Sequence, residues 1–536
     1  MGSAALQIED GAQVALGAGH SDPGGVHAPA LTASGHTAHG TGAGRAGPPP
    51  GVETARLYGN INHYAYYFID ILVGSPEPQV ASVIVDTGSR LVGFPCRGCD
   101  HCGRNHLDRP FDFAASKTAR WIPCSECLTG TCADDQCLYE EAYSEGSSIS
   151  GRWFDDVVEL GGTFNKNHPV RARLGCHENE NKLFYTQRAN GIMGLAPWGE
   201  GFNASEPTIL QDFFQDKKHV DTKIFSLCFA TWGGEFTVGG YDSSYHAPGA
   251  RLQWTPMSAS HYYFVFPEGM SMSTPSSAGA ETSVVSGNAA FGVTIVDSGT
   301  TFAYFAPAVY VPLITTLDRL CAPEQGGCGA TPRQNDCYQP FDARLGPAGF
   351  PTLTIEFRDG ARIEWTPQDY LHERGQRGVY CLTFMQNNLQ QTVLGISWML
   401  HKNLIFDIKN RRLGVVKADC PEHHQEATSI QRNEVVLERR GDFVGSLVPL
   451  LPSLRGPGVA PHSPVEAAQA AFASARVPQL LAVLGIATPA VAALGWLLMA
   501  IRTRKQCRRA SSFEVNDDGD SEDVRTALVP EVPGLA

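Results

Sequence analysis

Basic charge is in short supply. Lys and Arg number 41 against 55 Asp and Glu, which leaves a formal net charge of −14 over 536 residues. Nucleic acid, gripped mainly through phosphate contacts from Lys and Arg, is therefore not an expected partner, whereas a basic peptide suits the balance. Also missing is an apolar segment behind Met1: residues 1–55 are rich in Gly, Ala, His and Pro and read as a disordered leader. A luminal protein needs an entry signal, so the expectation is a start truncated upstream. Histidines are not interleaved with the crowded cysteines Cys96, Cys99, Cys102, Cys124, Cys127, Cys132 and Cys137, and that odd set does not make tetrahedral zinc sites. The expectation is disulfides, with no metal and no cofactor.

Long apolar runs are scarce except in one place. Residues 477–501 carry no charge and precede Arg502, Arg504, Lys505, Arg508 and Arg509. A helix of that length reaches roughly 37 Å, enough to cross a bilayer core of about 30 Å. The basic cluster behind it predicts a single-pass, type I protein with residues 502–536 in the cytosol. All but one of the 15 cysteines lie from Cys96 to Cys420, on the other side of that helix, where an oxidising lumen pairs them. Within the block the nearest partner for the odd cysteine is Cys176; Cys228, Cys321, Cys328, Cys337, Cys381 and Cys420 are left for three further bridges. Spacing does not choose among those pairings. Cys507 is a juxtamembrane thiol, palmitoylated or reduced. Residues 421–474 are a polar, Pro-rich stalk, and Asn203 heads a glycosylation sequon. Ser271–Asn288 and the stretch from Cys321 to Cys337 read as solvated loops.

The chemistry comes from a repeated string. Asp86-Thr87-Gly88-Ser89 follows the apolar run Val83-Ile84-Val85, and Asp297-Ser298-Gly299-Thr300 follows Val293-Thr294-Ile295-Val296. One such tripeptide is an ordinary turn; two with matched apolar lead-ins, one per half of the chain, are not. A carboxylate ending a buried strand, followed by a hydroxyl residue and a glycine, can be held rigidly by local donors. Two of them face to face cannot both ionise, so one acts as acid and the other as base on a shared water. Amide hydrolysis without a covalent intermediate is the expected reaction. Asn190-Gly191-Ile192-Met193-Gly194-Leu195 and Val393-Leu394-Gly395-Ile396 repeat a further pattern, an apolar strand passing under each motif. Tyr143-Ser144-Glu145-Gly146-Ser147 reads as a hairpin tip that closes over a cleft.

On these residues the chain from about Tyr58 to Cys420 resembles a pepsin-like, bilobal aspartic protease, mainly β. The implied lobes are 56–225, with a Cys-rich insert at 94–137, and 226–420, followed by the transmembrane helix. Asp86 and Asp297 are the implied catalytic pair, and Tyr143 and Gly146 belong to the flap. A narrower resemblance rests on Phe94-Pro95-Cys96-Arg97-Gly98-Cys99-Asp100-His101-Cys102, on the flap string, on Gly175-Cys176-His177 and on the run from Gly234 to Asp242. These resemble nepenthesin-type enzymes and, in detail, the plasmepsin V family of apicomplexan export-element proteases, which has a coccidian Golgi branch. The resemblance implies a Cys337–Cys381 bridge, and Cys228 with Cys420 would tie down the chain's return. It also implies cleavage after Leu in an Arg-x-Leu element, in the Golgi or endoplasmic reticulum membrane, by a monomer.

In pepsin-like folds Glu145 would stand over the subsite three residues before the cut, where a substrate Arg is a fitting partner. Gln187 matches a residue expected to share that guanidinium, whose planar fork Lys cannot reproduce. Three departures stand out. Arg90 occupies a place often held by Ser or Thr, Gly93 replaces the Trp that commonly supports the flap tyrosine, and Ser144 replaces a flap cysteine of some relatives. Two other readings compete: a membrane aspartic protease of broader specificity, and a catalytically dead pepsin-fold binding protein. The second usually loses an Asp or its neighbouring hydroxyl, and this chain keeps Asp86, Ser89, Asp297 and Thr300.

Overall fold

The computed structural model describes residues 51–424 apart from 162–167, 198–207, 276–278, 323–327, 333–335, 343, 345 and 375–377. The stretch 477–501, Asn203, Cys507, the cytosolic tail and nearly all of the leader and stalk therefore lie outside the described residues. Among the described residues no helix is long and apolar enough to cross a membrane.

Strands dominate, and each Asp motif caps one of them. Gln79–Asp86 is buried along its last six residues, as a run of β-branched side chains in a covered strand should be. It pairs in parallel with Gly191–Gly194, in the register Val83 to Gly191 and Asp86 to Gly194. The second half repeats this layout: Val293–Val296 pairs in parallel with Gln391–Leu394, Val296 opposite Leu394. Thus the apolar-apolar-glycine strands lie alongside the Asp-bearing strands, and their backbones clasp the motifs through Leu195 N–H to Asp86 O at 2.6 Å and Asp297 N–H to Leu394 O at 3.0 Å.

A shared antiparallel sheet joins the halves. Glu53–Asn60 pairs with Gly234–Val238, which pairs with Ile224–Phe229. That strand pairs with Lys402–Asp407, followed by Arg412–Lys417 and Gln253–Ala259. Two boundaries shift as a result. The leader assigned to 1–55 gives way at Glu53, whose strand is held by Val238 and whose buried carboxylate accepts the His168 N–H. The break drawn between 225 and 226 falls inside Ile224–Phe229, a fully buried strand of the joining sheet.

Part of the stretch read as loop is also a strand. Thr282–Ser286 pairs with Pro267–Ser273, and Val284 and Val285 pack on the core. The Ser, Gly and Ala around them hid two apolar residues in strand register. Cys321 ends the helix Pro307–Cys321.

The cysteines from Cys96 to Cys420 form Cys96–Cys176, Cys99–Cys102, Cys124–Cys132, Cys127–Cys137, Cys228–Cys420, Cys321–Cys328 and Cys337–Cys381. Cys337 and Cys381 are direct partners across two strands, and Cys420, just past the strand Arg412–Lys417, is fastened to Ile224–Phe229. Among the described residues no group of His, Cys, Asp and Glu could hold a metal ion.

Candidate active site

The two Asp motifs meet at the centre. Asp86 and Asp297 are both 0% exposed. Gly88 N–H donates to Asp86 Oδ1 at 2.8 Å and Ser89 Oγ to its Oδ2 at 2.5 Å. Asp297 has the same two donors in the same places, Gly299 N–H at 2.9 Å and Thr300 Oγ1 at 2.5 Å. The middle residues lock the halves together. Ser298 Oγ accepts from Thr87 N–H at 3.0 Å and donates to Val85 O, while Thr87 Oγ1 accepts from Ser298 N–H at 2.9 Å and donates to Val296 O.

Both glycines are there for close approach. A Cβ on Gly88 would stand 2.7 Å from Asp297 Oδ1, and one on Gly299 would stand 2.2 Å from Asp86 Oδ1. Each carboxyl's inner oxygen therefore lies toward its partner's turn. Burial raises the pKa of Asp86; for Asp297 burial and then the Asp86 charge push it well above the ordinary range. One proton shared by the pair is the arrangement these shifts favour.

Gln136–Ala142 and Ser148–Leu160 form a hairpin over this centre, closed by Tyr143 N–H to Ser147 O and Gly146 N–H to Tyr143 O. Gly146 takes φ +86, which an L side chain rarely adopts. Tyr143 is buried and leans toward Ser89 and Asp86 without an ordinary hydrogen bond; burial and then the Asp86 charge keep its hydroxyl protonated. Arg90, Glu141, Ala142, Tyr143, His261 and Tyr262 line a cavity of about 160 Å³ beside Ser89.

The two residues expected to read a substrate arginine are less closely gathered. Glu145 is exposed at the hairpin tip, so no desolvation cost acts on it before a substrate covers it. Gln187 is half-buried at the end of the helix Lys182–Thr186, its Nε2 donating to Ala189 O at 3.2 Å. The sequence reading missed Lys182, whose Nζ would lie 2.2 Å from a Cβ at Gly146. Nothing local in the sequence signals that contact. Arg90 turns from the dyad: its Nε donates to Pro197 O at 3.0 Å and its Nη2 lies 3.2 Å from His261 Nδ1.

A paired-carboxyl site under a hairpin, held by a duplicated β scaffold, defines an aspartic protease. The family described as eukaryotic aspartyl protease matches residues 66–418, and the chain belongs to it, an aspartic endopeptidase by class. It is similar to Aspartic protease 5 of Toxoplasma gondii, 34% identical over 428 residues that cover 69% of this chain and 38% of that protein. Plasmepsin V of Plasmodium falciparum (isolate 3D7) is 25% identical over 462 residues, 68% of this chain and 73% of its own. Aspartic proteinase nepenthesin-1 of Nepenthes gracilis is 25% identical over 392 residues, 69% and 81% respectively. The chain thus spans well under half the length of the Toxoplasma relative.

Proposed function

We propose that this chain is a membrane-anchored endopeptidase of the secretory pathway that cuts peptide bonds after Leu in Arg-x-Leu elements of exported proteins. One observation carries the catalytic part: two fully buried carboxyls, identically hydrogen-bonded, each with one oxygen turned to the other. Asp86, the lower of the pair, takes a proton from a water held between them as the water oxygen attacks the scissile carbonyl carbon. Asp297 gives its proton to the carbonyl oxygen, producing a neutral gem-diol. Collapse returns a proton from a diol hydroxyl to Asp297 and passes the Asp86 proton to the leaving nitrogen. Tyr143 and the Gly146 turn close over the peptide and exclude bulk solvent.

The substrate part rests on similarity to Plasmepsin V and Aspartic protease 5, and on Glu145 at the tip of the covering hairpin. Gln187 Nε2 is already committed to Ala189 O, which orients the carboxamide and leaves its oxygen as an acceptor. Together with the Glu145 carboxylate it makes a two-acceptor clamp for a guanidinium. Endoplasmic reticulum or Golgi membrane, Asn203 glycosylation, the 477–501 anchor and a monomeric state complete the proposal. Incubating the full chain with a peptide library at mildly acidic pH tests it. Preference for Arg-x-Leu supports the clamp, diffuse apolar preference removes it, and no cleavage removes proteolysis.

A further inference from the structure

Beneath the hairpin lies a buried polar knot that the catalytic account does not use. His177 is 0% exposed, and Glu180 Oε1 lies 2.8 Å from its Nδ1. The other Glu180 oxygen accepts from Gly103 N–H and from His106 Nε2, both at 3.0 Å, so one carboxylate ties His177 to the Cys-rich insert. Burial raises the Glu180 pKa, but its bonds to His106, His177 and Gly103 outweigh that and hold it to about 2. Burial lowers the His177 pKa in spite of Glu180. With Nδ1–H donating to an ionised Glu180, the neutral ring presents Nε2 as an acceptor. Among the described residues that atom is buried without a partner.

Its position is set by strand register. Tyr139 on the hairpin's first strand is opposite Gly151 on the second, and Gly151 is opposite His177. Gly175 lies two residues before His177 on the same strand, with Gly93 as its partner on Val92–Pro95 and Trp153 opposite it on the hairpin. Missing side chains at the two glycines clear a trough. A Cβ on Gly93 would stand 2.7 Å from His177 Nε2, and one on Gly175 would stand 2.8 Å from the Tyr139 hydroxyl. Nitrogen and hydroxyl thus border one trough, their rings 6.3 Å apart between centroids, where a water can bridge them. Among the described residues the Tyr139 hydroxyl and Trp153 Nε1, on a ring 4.9 Å from that of Tyr139, are also buried without partners, so such a water has two donors and one acceptor to draw on.

We propose that His177 is a positioning residue for the flap: clamped by Glu180, it accepts through one ordered water the hydrogen bond of Tyr139 and so fixes the strand that leads into Tyr143. This rests on the proteolytic reading only for its kinetic consequence. The Cys-rich insert then acts on catalysis at a distance, since His106 and Gly103 hold the carboxylate that aims the ring.

Hydrogen exchange of the 143–147 turn amides in the full chain, without substrate, tests it directly. His177→Leu should raise their exchange about 3- to 10-fold, the equivalent of one hydrogen bond, and lower kcat/KM by a similar factor, mainly through KM. His177→Gln, whose carboxamide oxygen can accept from the same place, should stay within about 2-fold of the parent. Gly93→Ala, which displaces the ring without deleting its pair with Glu180, and Tyr139→Phe should each loosen the turn as His177→Leu does, and they carry the test if His177→Leu does not fold. Unchanged turn exchange in Gly93→Ala and Tyr139→Phe, or equal loosening by His177→Gln and His177→Leu, overturns the proposal. A parent chain that cuts no peptide would instead remove the proteolytic reading, with the exchange result still standing.

Discussion

Ser298→Ala is the sharpest perturbation of the catalytic centre that leaves both carboxyls in place. The Ser298 hydroxyl accepts from Thr87 N–H at 3.0 Å and donates to Val85 O at 2.8 Å, and all three residues are fully buried. Deleting it orphans one donor and one acceptor where water does not reach. At about 1–3 kcal/mol for each unsatisfied group, the loss should be about 2–6 kcal/mol. That is a large part of a typical folding free energy of about 5–15 kcal/mol, yet the chain should still fold. The catalytic effect is separate: Thr87 N–H loses its cross-lobe anchor, and Asp86 sits next to it. A misplacement near 1 Å costs on the order of 100-fold, so kcat should fall by about 10- to 100-fold with KM little changed. Urea unfolding with the disulfides intact measures the first quantity, and peptide hydrolysis the second. Thr87→Ser, which keeps the mirror-image hydroxyl and deletes one methyl, should cost only about 1 kcal/mol. If Ser298→Ala lies within about 0.5 kcal/mol of the parent with kcat unchanged, the crossed bonds do not hold the carboxyls, and the reasoning fails.

Asp297→Asn should abolish peptide hydrolysis while preserving the disulfide pattern. Because burial and the Asp86 charge raise its pKa, the native carboxyl favours the fold in acid and opposes it as pH rises, so the variant should also be more stable than the parent near neutrality. Cleavage by purified Asp297→Asn, or a neutral-pH midpoint in urea below that of the parent, would contradict this. Asp212 is a second acid-favouring group, its pKa pushed up to about 7, chiefly by burial and then by the Asp155 charge. Its contribution is complete below its unfolded value of 3.8 and is lost as pH rises through about 7. Asp212→Asn should therefore stabilise the protein by about 2–4 kcal/mol at pH 7 and by almost nothing at pH 4, read from urea midpoints at the two pH values. Equal gains at both would refute the burial account. Glu145→Ala, or Lys for Arg in the substrate, should lower kcat/KM by about 10- to 100-fold, the worth of a charge-assisted bond that forms only when peptide covers the tip. Equal turnover of Arg and Lys peptides would rule the clamp out.

The catalytic centre was legible because its logic is local. Val83-Ile84-Val85 and Val293–Val296 announce buried strands, Asp at their ends announces the carboxyls, and the hydroxyls three places on supply the donors the structure shows. Even the strands Gly191–Gly194 and Gln391–Leu394 announced themselves, since continuous apolar residues ending in glycine suit a strand covered on both faces. The joining sheet was not legible. Its partners, such as Glu53 with Val238 and Cys228 with Asn403, come from distant parts of the chain, and alternation says which face is buried but not which strand lies alongside. That is why the leader and lobe boundaries were drawn a few residues off, inside elements that pairing extends.

The flap region shows the same division at finer scale. Tyr143 and Gly146 are readable because a turn needs a φ-permissive residue near its end, and Gly146 supplies it at φ +86. Gly175-Cys176-His177 was visible as a string whose cysteine had an evident use and whose histidine had none. What His177 does follows from Gly151 lying between it and Tyr139, and from Glu180 three residues on turning back to meet it and His106. No property of a lone histidine distinguishes a buried acceptor from a solvated base; only register and burial do so. Because the Cys127–Cys137 bridge pins the first hairpin strand while Glu180, opposite Ile149 of the second, takes Gly103 and His106 from the same insert, the cysteine-rich segment holds the hairpin once directly and once through the strand Val170–Glu180. An insertion that serves only as a surface ornament would leave the turn amides indifferent to reduction of its bridges. In this architecture, opening Cys127–Cys137 should loosen the hairpin before it disturbs the crossed bonds of Thr87 and Ser298, which lie at the lobe junction and share no disulfide with it.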